Sequence, residues 1–174
     1  RTSKSSGALD IDSWLLSSTD GVNWKPVTIF PGNTGNETAF LFEENGDIKA
    51  VARGWQENNA LLLSASPPYE EWDIHDLGMQ VGGPMIAEWN GAYLVSGRKT
   101  FHDKVRVTSL YQLVGKELQE ITELPSGGDS SYPGFAAIDE KNGILSFYSS
   151  HEGSGTNLPP SSIYIAKLKM DSQV

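Results

Sequence analysis

Three stretches of this sequence share one form, and they read TAFLFEENGDIKAVARG (residues 38–54), PMIAEWNGAYLVSGR (residues 84–98) and PGFAAIDEKNGILSFYSS (residues 133–150). Each contains two apolar, β-rich runs separated by Asn-Gly. Asn-Gly is the dipeptide most typical of a tight β-hairpin, because both turn residues adopt a positive φ. We therefore predict three equivalent hairpins, with turns at Asn45-Gly46, Asn90-Gly91 and Asn142-Gly143.

The spacing of these turns predicts the architecture. They recur 45 and 52 residues apart, a period that fits one four-stranded propeller blade. No stretch carries the apolar stripe of an amphipathic helix, and short β-rich runs bounded by Gly, Pro, Asn or Asp fill the chain. We predict an all-β fold of three to four antiparallel blades, with residues 1–174 forming one domain. Closed propellers have about four to eight blades, so we expect part of a larger propeller.

Composition excludes several classes of protein. The chain has 174 residues, of which 38% are hydrophobic and 20% charged, which is typical of a soluble globular domain. Its net charge of −9 argues against nucleic-acid binding. The chain has no cysteine, which excludes disulfides and thiol catalysis, and its three histidines show no metal-ligand spacing. We expect no cofactor and no membrane span.

Two arginines occupy matched positions in neighbouring hairpins. Arg53 and Arg98 each lie seven residues after the turn glycine, whereas the third hairpin has Ser150 there. The hairpin itself therefore does not require arginine. The match predicts two guanidinium groups at the same end of the propeller, an arrangement that suits a carboxylate ligand. The alternative is that each is a solvated charge at a strand end.

A local motif lies near the N-terminus. SSTDGVNW (residues 17–24) resembles the Asp-box, or bacterial neuraminidase repeat, of sialidase-type propellers. In such a turn Asp20 accepts backbone N–H groups, Gly21 takes the positive φ and Trp24 packs under the hairpin. SASPPYEEW (residues 64–72) looks like a degenerate second copy.

The order of four polar residues resembles the C-terminal half of the sialidase superfamily. These are Glu37 in GNETAF, Arg53 in AVARG, Arg98 in VSGRK and Tyr132 in GGDSSYPGF. The resemblance implies a partial six-bladed sialidase-type propeller and an exo-sialidase that takes an acidic sugar. It makes Tyr132 the nucleophile and Glu37 its base, and it assigns the substrate carboxylate to the two arginines. A third arginine and an acid/base aspartic acid then belong to an N-terminal half.

The chemistry explains this choice of residues. A sialoside has a carboxylate on its anomeric carbon, which repels a carboxylate nucleophile and favours a neutral tyrosine. Glu37 then accepts the phenolic proton, and the arginines are expected to lower the pKa of Tyr132. Pro133 biases Tyr132 towards an extended backbone.

Two further residues are candidates for the substrate site. Asp129 is expected either to support Tyr132 or to cap a turn, and Trp55 either to stack on the sugar or to belong to the blade core. The alternative function is a non-catalytic sugar-binding propeller that keeps the arginines. A purely structural propeller is disfavoured by the four-residue set. The chain opens at Arg1 without a methionine, so we expect a trimmed N-terminus and an N-terminal half or a second chain as partner. We also expect a secreted or periplasmic location.

Overall fold

The computed structural model describes residues 12–32, 37–54, 58–100, 106–151 and 160–170. Within these ranges the protein is all-β, with no helix and therefore none long and apolar enough to cross a membrane. The strands are β1 (Trp14–Ser17), β2 (Lys25–Ile29), β3 (Thr38–Phe42), β4 (Ile48–Ala52), β5 (Leu61–Ala65), β6 (Asp73–Asp76), β7 (Gly82–Trp89), β8 (Ala92–Thr100), β9 (Arg106–Val114), β10 (Glu117–Glu123), β11 (Ser130–Ala137), β12 (Asn142–Ser150) and β13 (Ser161–Lys169).

The strands form antiparallel meanders. Strands β3 to β6 make one four-stranded sheet and β7 to β10 another, each in sequence order. Strands β11 to β13 make a three-stranded sheet, and β1 pairs with β2. The first strand of the second four-stranded sheet, β7, contacts both β3 and β11. The first strands thus lie side by side, as the inner strands of neighbouring propeller blades do.

Apolar side chains pack between successive sheets. One cluster lies between the two four-stranded sheets and includes Val51, Leu62 and Tyr111. A second joins β7–β10 to β11–β13, with Trp89 and Leu145 at its centre. A third, which includes Leu15 and Phe30, packs β1–β2 against β3–β6. These three clusters join each sheet to the next one along the chain.

Two of the three predicted turns are present. Asn90 and Gly91 have φ of 50° and 76°, the conformation that a two-residue hairpin of this kind requires. In the first hairpin Gly46 alone has a positive φ, of 88°, and the Asn45 side chain accepts the N–H of Asp47. Both dipeptides lie between the first and second strands of their sheets, so these hairpins are equivalent.

The prediction for the third turn is wrong. Asn142 and Gly143 are the first two residues of β12, and neither has a positive φ. The turn falls earlier because Asp139 Oδ1 accepts the N–H groups of Lys141 and Asn142, at 2.7 and 2.8 Å. Gly143 instead leaves room for the Phe135 ring, which would lie 2.7 Å from a Cβ at this position.

The Asp-box-like turn has the expected backbone contacts but not the expected tryptophan. Asp20 Oδ1 accepts the N–H groups of Val22 and Asn23 at 2.9 and 2.7 Å, and Gly21 has a φ of 73°. Trp24, however, is 58% exposed. The reason is that β1 and β2 form a two-stranded sheet whose outer side has no neighbour among the described residues.

The meander places several polar residues at one end of the sheets. In an antiparallel sheet the start of the first strand and the end of the second lie together. Glu37 directly precedes β3, and Arg53 directly follows β4. Gly82 begins β7 and pairs with Arg98 near the end of β8, while Tyr132 lies near the start of β11.

Candidate active site

At the centre of the site, the Glu37 carboxylate accepts three hydrogen bonds. The Tyr132 hydroxyl donates to Glu37 Oε1. Glu37 Oε2 accepts the backbone N–H of Gly83 at 2.7 Å and Arg53 Nη1 at 3.0 Å. These residues come from three different sheets, so the contact forms only when the sheets pack side by side.

Glu37 is an ionised carboxylate in the folded protein. Burial raises its pKa, but the hydrogen bonds from Tyr132 and Gly83, together with the Arg53 charge, lower it by more. The net pKa is below the ordinary value of 4.5. At neutral pH the group is therefore available to accept a proton.

The Tyr132 phenol is neutral in the same state. Its hydrogen bond to Glu37 is the largest influence and raises the pKa, as does burial, whereas Arg98 and Arg53 lower it by less. The arginines lower this pKa as expected, but the hydrogen bond to Glu37 and burial outweigh them, so the net pKa is above its ordinary value. The physical reason is that a phenol donating to a carboxylate is stabilised in its protonated form.

The backbone of Tyr132 differs from the extended conformation expected before proline. Its φ is +49°, in the left-handed region, and the β11 register shifts between Ser131 and Gly134. Strain of this kind persists only where the surroundings enforce it. Here Ser131 is buried and its hydroxyl donates to the Gly82 carbonyl at 2.7 Å, which fixes the bulge against β7.

A glycine of β7 makes room for the tyrosine ring. Gly83 has a φ of +53° and lies where the β7 register also shifts. A Cβ there would lie 2.5 Å from Ser131 Oγ and 3.0 Å from Tyr132 Cδ1. The Tyr132 side chain therefore packs on Gly83 and remains 58% exposed, reachable from solvent.

The two matched arginines lie at this end of the sheets. A Cβ on Gly82 would be 3.9 Å from Arg53 Nε and 3.5 Å from Arg98 Cβ, so both side chains flank one glycine. Both guanidinium charges act on the Tyr132 hydroxyl. Arg98 lies in β8 and Arg53 directly follows β4, so both belong to the second strands of their sheets or their ends, not to the first strands. The structure thus brings together Glu37, Arg53, Arg98 and Tyr132.

Arg98 is held by partners of its own. Its Nε donates to the Ser130 carbonyl at 3.1 Å, and its Nη2 donates to the Tyr148 hydroxyl at 2.9 Å. Nη2 also lies 3.2 Å from Asp129 Oδ1. Asp129 thus pairs with Arg98, and with Arg106 at 3.5 Å, rather than with Tyr132.

Sequence reasoning missed Tyr148. Its hydroxyl donates to Asp129 Oδ2 at 2.5 Å, and its ring stacks on Tyr132 with centroids 5.9 Å apart. Period-two alternation in β12 puts it on the same side of the strand as Ser150, the position that matches the arginines. That alternation is the signal that points to Tyr148.

Trp55, the other candidate for the substrate site, lies outside the described residues. Within the described ranges, no group of three or more histidine, aspartate and glutamate side chains is arranged to hold a metal ion.

The fold and this geometry together define a propeller-type protein with a carboxylate–tyrosine–arginine cluster at one end of its sheets. No protein-family model matches the chain. No curated protein matches it either.

Solved structures with the same fold do exist. A protein of unknown function from Dyadobacter fermentans superposes with a TM-score of 0.70 at 18% identity, over 91% of this chain and 45% of its own. The Bacteroides ovatus xyloglucan PUL GH43B superposes with a TM-score of 0.56 at 14% identity, over 89% of this chain and 33% of its own. The Bombyx mori GH32 β-fructofuranosidase BmSUC1 superposes with a TM-score of 0.56 at 15% identity, over 90% of this chain and 41% of its own.

These similarities show the fold. The neighbours with assigned activities are propeller glycoside hydrolases of families 43 and 32, and the chain spans less than half the length of the three proteins named.

Proposed function

We propose that this protein is a glycoside hydrolase of exo-sialidase type that releases a terminal sialic acid or a related acidic sugar. The observation that carries the proposal is the hydrogen bond from the Tyr132 hydroxyl to Glu37, beside Arg53 and Arg98. A neutral, exposed phenol paired with an ionised carboxylate is a nucleophile with its base in place.

The first step is attack by Tyr132. Its Oη forms a bond to the anomeric carbon while the glycosidic C–O bond breaks, and its proton passes to Glu37 Oε1. The leaving oxygen takes a proton from the aspartic acid that the sialidase resemblance assigns to an N-terminal half. Water then attacks the same carbon, gives its proton to that aspartate and releases Tyr132, which recovers its proton from Glu37. A positioned base of this kind contributes roughly 10²–10⁴-fold to a rate.

The substrate carboxylate is assigned to the two arginines. Among the described residues, Arg98 Nη1 and Arg53 Nη2 have no hydrogen-bond partner, so each retains donors for a ligand. A carboxylate bridging them would be oriented by charge-assisted hydrogen bonds. Such directed donors can bind an anion even in a chain whose net charge is −9.

The complete propeller in this proposal has six blades. Apolar side chains on the outermost described strands remain exposed, Trp14 and Leu16 on β1 and Ile163 and Ile165 on β13. Exposed apolar surface of this extent is typical of an interface. We assign it to the N-terminal half of the propeller or to a second chain, and we propose a secreted or periplasmic location for the whole protein.

A non-catalytic sugar-binding propeller is the second candidate. Its support is that each arginine already has a carboxylate partner within the chain, Glu37 for Arg53 and Asp129 for Arg98. The raised pKa of Tyr132, caused first by the hydrogen bond to Glu37, also makes the free phenolate rare.

Turnover of a fluorogenic sialoside by the full-length protein separates the two candidates. Tyr132→Phe should abolish most turnover and leave the affinity for free sialic acid, measured by calorimetry, within a factor of about two. Tyr164→Phe is the matched control, since it also removes a tyrosine hydroxyl. Tyr164 lies in β13, and its ring stacks on that of Phe147. Binding without turnover in the wild type would favour the sugar-binding protein, and absence of both would overturn the proposal.

A further inference from the structure

The described residues contain two tyrosine–carboxylate–arginine sets side by side. In one, Tyr132 donates to Glu37, which pairs with Arg53. In the other, Tyr148 donates to Asp129, which pairs with Arg98. The two tyrosine rings lie 23° from parallel with centroids 5.9 Å apart, so the sets are in direct contact.

The two sets differ in exposure. Tyr132 is 58% exposed, whereas Tyr148 is half-buried. The Tyr148 hydroxyl also makes two contacts, accepting from Arg98 Nη2 at 2.9 Å and donating to Asp129 at 2.5 Å. An oxygen that both accepts from a cation and donates to a carboxylate is committed to that pair. This is the geometry of a positioning group rather than of a nucleophile.

The backbone tightens the same arrangement. Arg98 Nε is bound to the Ser130 carbonyl, and the Ser150 N–H is bound to the Asp129 carbonyl at 2.8 Å. The guanidinium plane of Arg98 is therefore fixed from two sides, with the Tyr148 hydroxyl as the only side-chain hydroxyl among the described residues that contacts it. A guanidinium group whose plane is fixed points its remaining N–H donors at one place, where a ligand carboxylate can bind.

We propose that Tyr148 is a positioning residue that sets Arg98 for the substrate carboxylate through its hydroxyl and supports the Tyr132 ring through its own ring. This inference rests on the proposed function and identifies how that site selects an acidic sugar. Burial, followed by the hydrogen bond to Asp129, raises the pKa of Tyr148, so the hydroxyl remains a donor to Asp129 well into the alkaline range.

The two parts of the side chain have separable effects. Loss of the hydroxyl removes one of the hydrogen bonds that hold Arg98 Nη2 in place, and so weakens the hold of Arg98 on a ligand carboxylate. The stacked ring remains, so the attack of Tyr132 is little affected. Loss of the ring as well removes the support on one face of Tyr132 and slows the chemical step.

The experiment uses the full-length protein and two ligands, sialic acid and its neutral methyl ester. Tyr148→Phe should weaken binding of the acid about tenfold, raise KM for a sialoside by a similar factor, and leave kcat and binding of the ester nearly unchanged. Tyr148→Leu should lower kcat in addition. Tyr164→Phe, the control on β13, should change none of these quantities.

Each other outcome has a definite meaning. If the wild type neither binds nor cleaves sialosides, the proposed function fails and this inference fails with it. If the wild type does so and Tyr148→Phe keeps the acid-to-ester affinity ratio, this inference alone is wrong. Equal loss of affinity for acid and ester would indicate a structural role. Loss of turnover with binding intact in Tyr148→Phe would make Tyr148 the nucleophile, which also contradicts the inference.

Discussion

Among the single residues, Glu37 links the most parts of the site, because three donors from three sheets hydrogen-bond to its carboxylate. A carboxylate whose folded pKa is lowered adds stability that is present above its unfolded pKa and lost as the pH falls through the folded value. For Glu37 that loss occurs below the ordinary pKa of 4.5.

Glu37→Gln should therefore be less stable than the wild type at neutral pH, and the difference should shrink as the pH falls below about 4.5. Unfolding by denaturant at a series of pH values measures the free energy of unfolding of both proteins. Glu44→Gln, in the exposed turn between β3 and β4, reports the effect of removing one surface charge. A difference that grows on acidification would contradict the assignment of Glu37 as an ionised partner.

Sequence reasoning found Arg53 and Arg98 because a repeat marks them, whereas Glu37 and Tyr132 came from the resemblance to sialidases. Arg53 and Arg98 stand at matched distances from turn glycines, so their common end of the fold was predictable. Tyr148 does not occupy a position that the repeat matches between hairpins. Its partners Arg98 and Asp129 are 50 and 19 residues away, and their meeting depends on how two sheets pack.

At the scale of strands and turns, the site depends on two facing bulges. The registers of β7 and β11 shift at Gly82/Met85 and at Ser131/Gly134, and Gly83 and Tyr132 lie within those shifts. A bulge turns side chains away from their regular alternation. Here it brings the Gly83 N–H and the Tyr132 hydroxyl to the same carboxylate.

Gly83→Ala should displace Tyr132, because the new Cβ meets Ser131 Oγ and the tyrosine ring. We expect a loss of turnover on the order of a hundredfold, the effect of misplacing a reacting group by about 1 Å. Gly91→Ala is the matched control, since it also has a positive φ but nothing within 4 Å of the added Cβ. It should cost only backbone strain, about 1–2 kcal/mol by thermal unfolding, with turnover retained. Equal turnover in the two variants would argue against the bulge as the device that places Tyr132.

The last strands of three sheets give little sequence signal, and the physical cause is the same in each. Lys25–Ile29, Asp73–Asp76 and Glu117–Glu123 are the last strands of their sheets, and their side chains are mostly exposed. An outer strand needs few apolar residues, because it packs on few neighbours. The inner strands bury apolar side chains between sheets, and those runs were visible as β-rich segments.

In the molecule as a whole, three arginines of an acidic chain lie at one end of its sheets. Arg53, Arg98 and Arg106 are paired there with two carboxylates, Glu37 and Asp129, in a chain whose net charge is −9. The chain spans less than half the length of three solved neighbours that share its fold. We propose that this end of the fold is a sialidase-type active site in which Tyr132 is the nucleophile.

Covalent capture of the glycosyl-enzyme intermediate identifies the nucleophile. The full-length protein is incubated with a fluorinated sialosyl fluoride, a substrate analogue whose glycosyl-enzyme intermediate breaks down slowly, and its peptides are analysed by mass spectrometry. We expect one added sugar on Tyr132, absent from Tyr132→Phe and unaffected by Tyr164→Phe. A sugar attached to Tyr148 or to any other residue, or no adduct while turnover of sialosides continues, would contradict it.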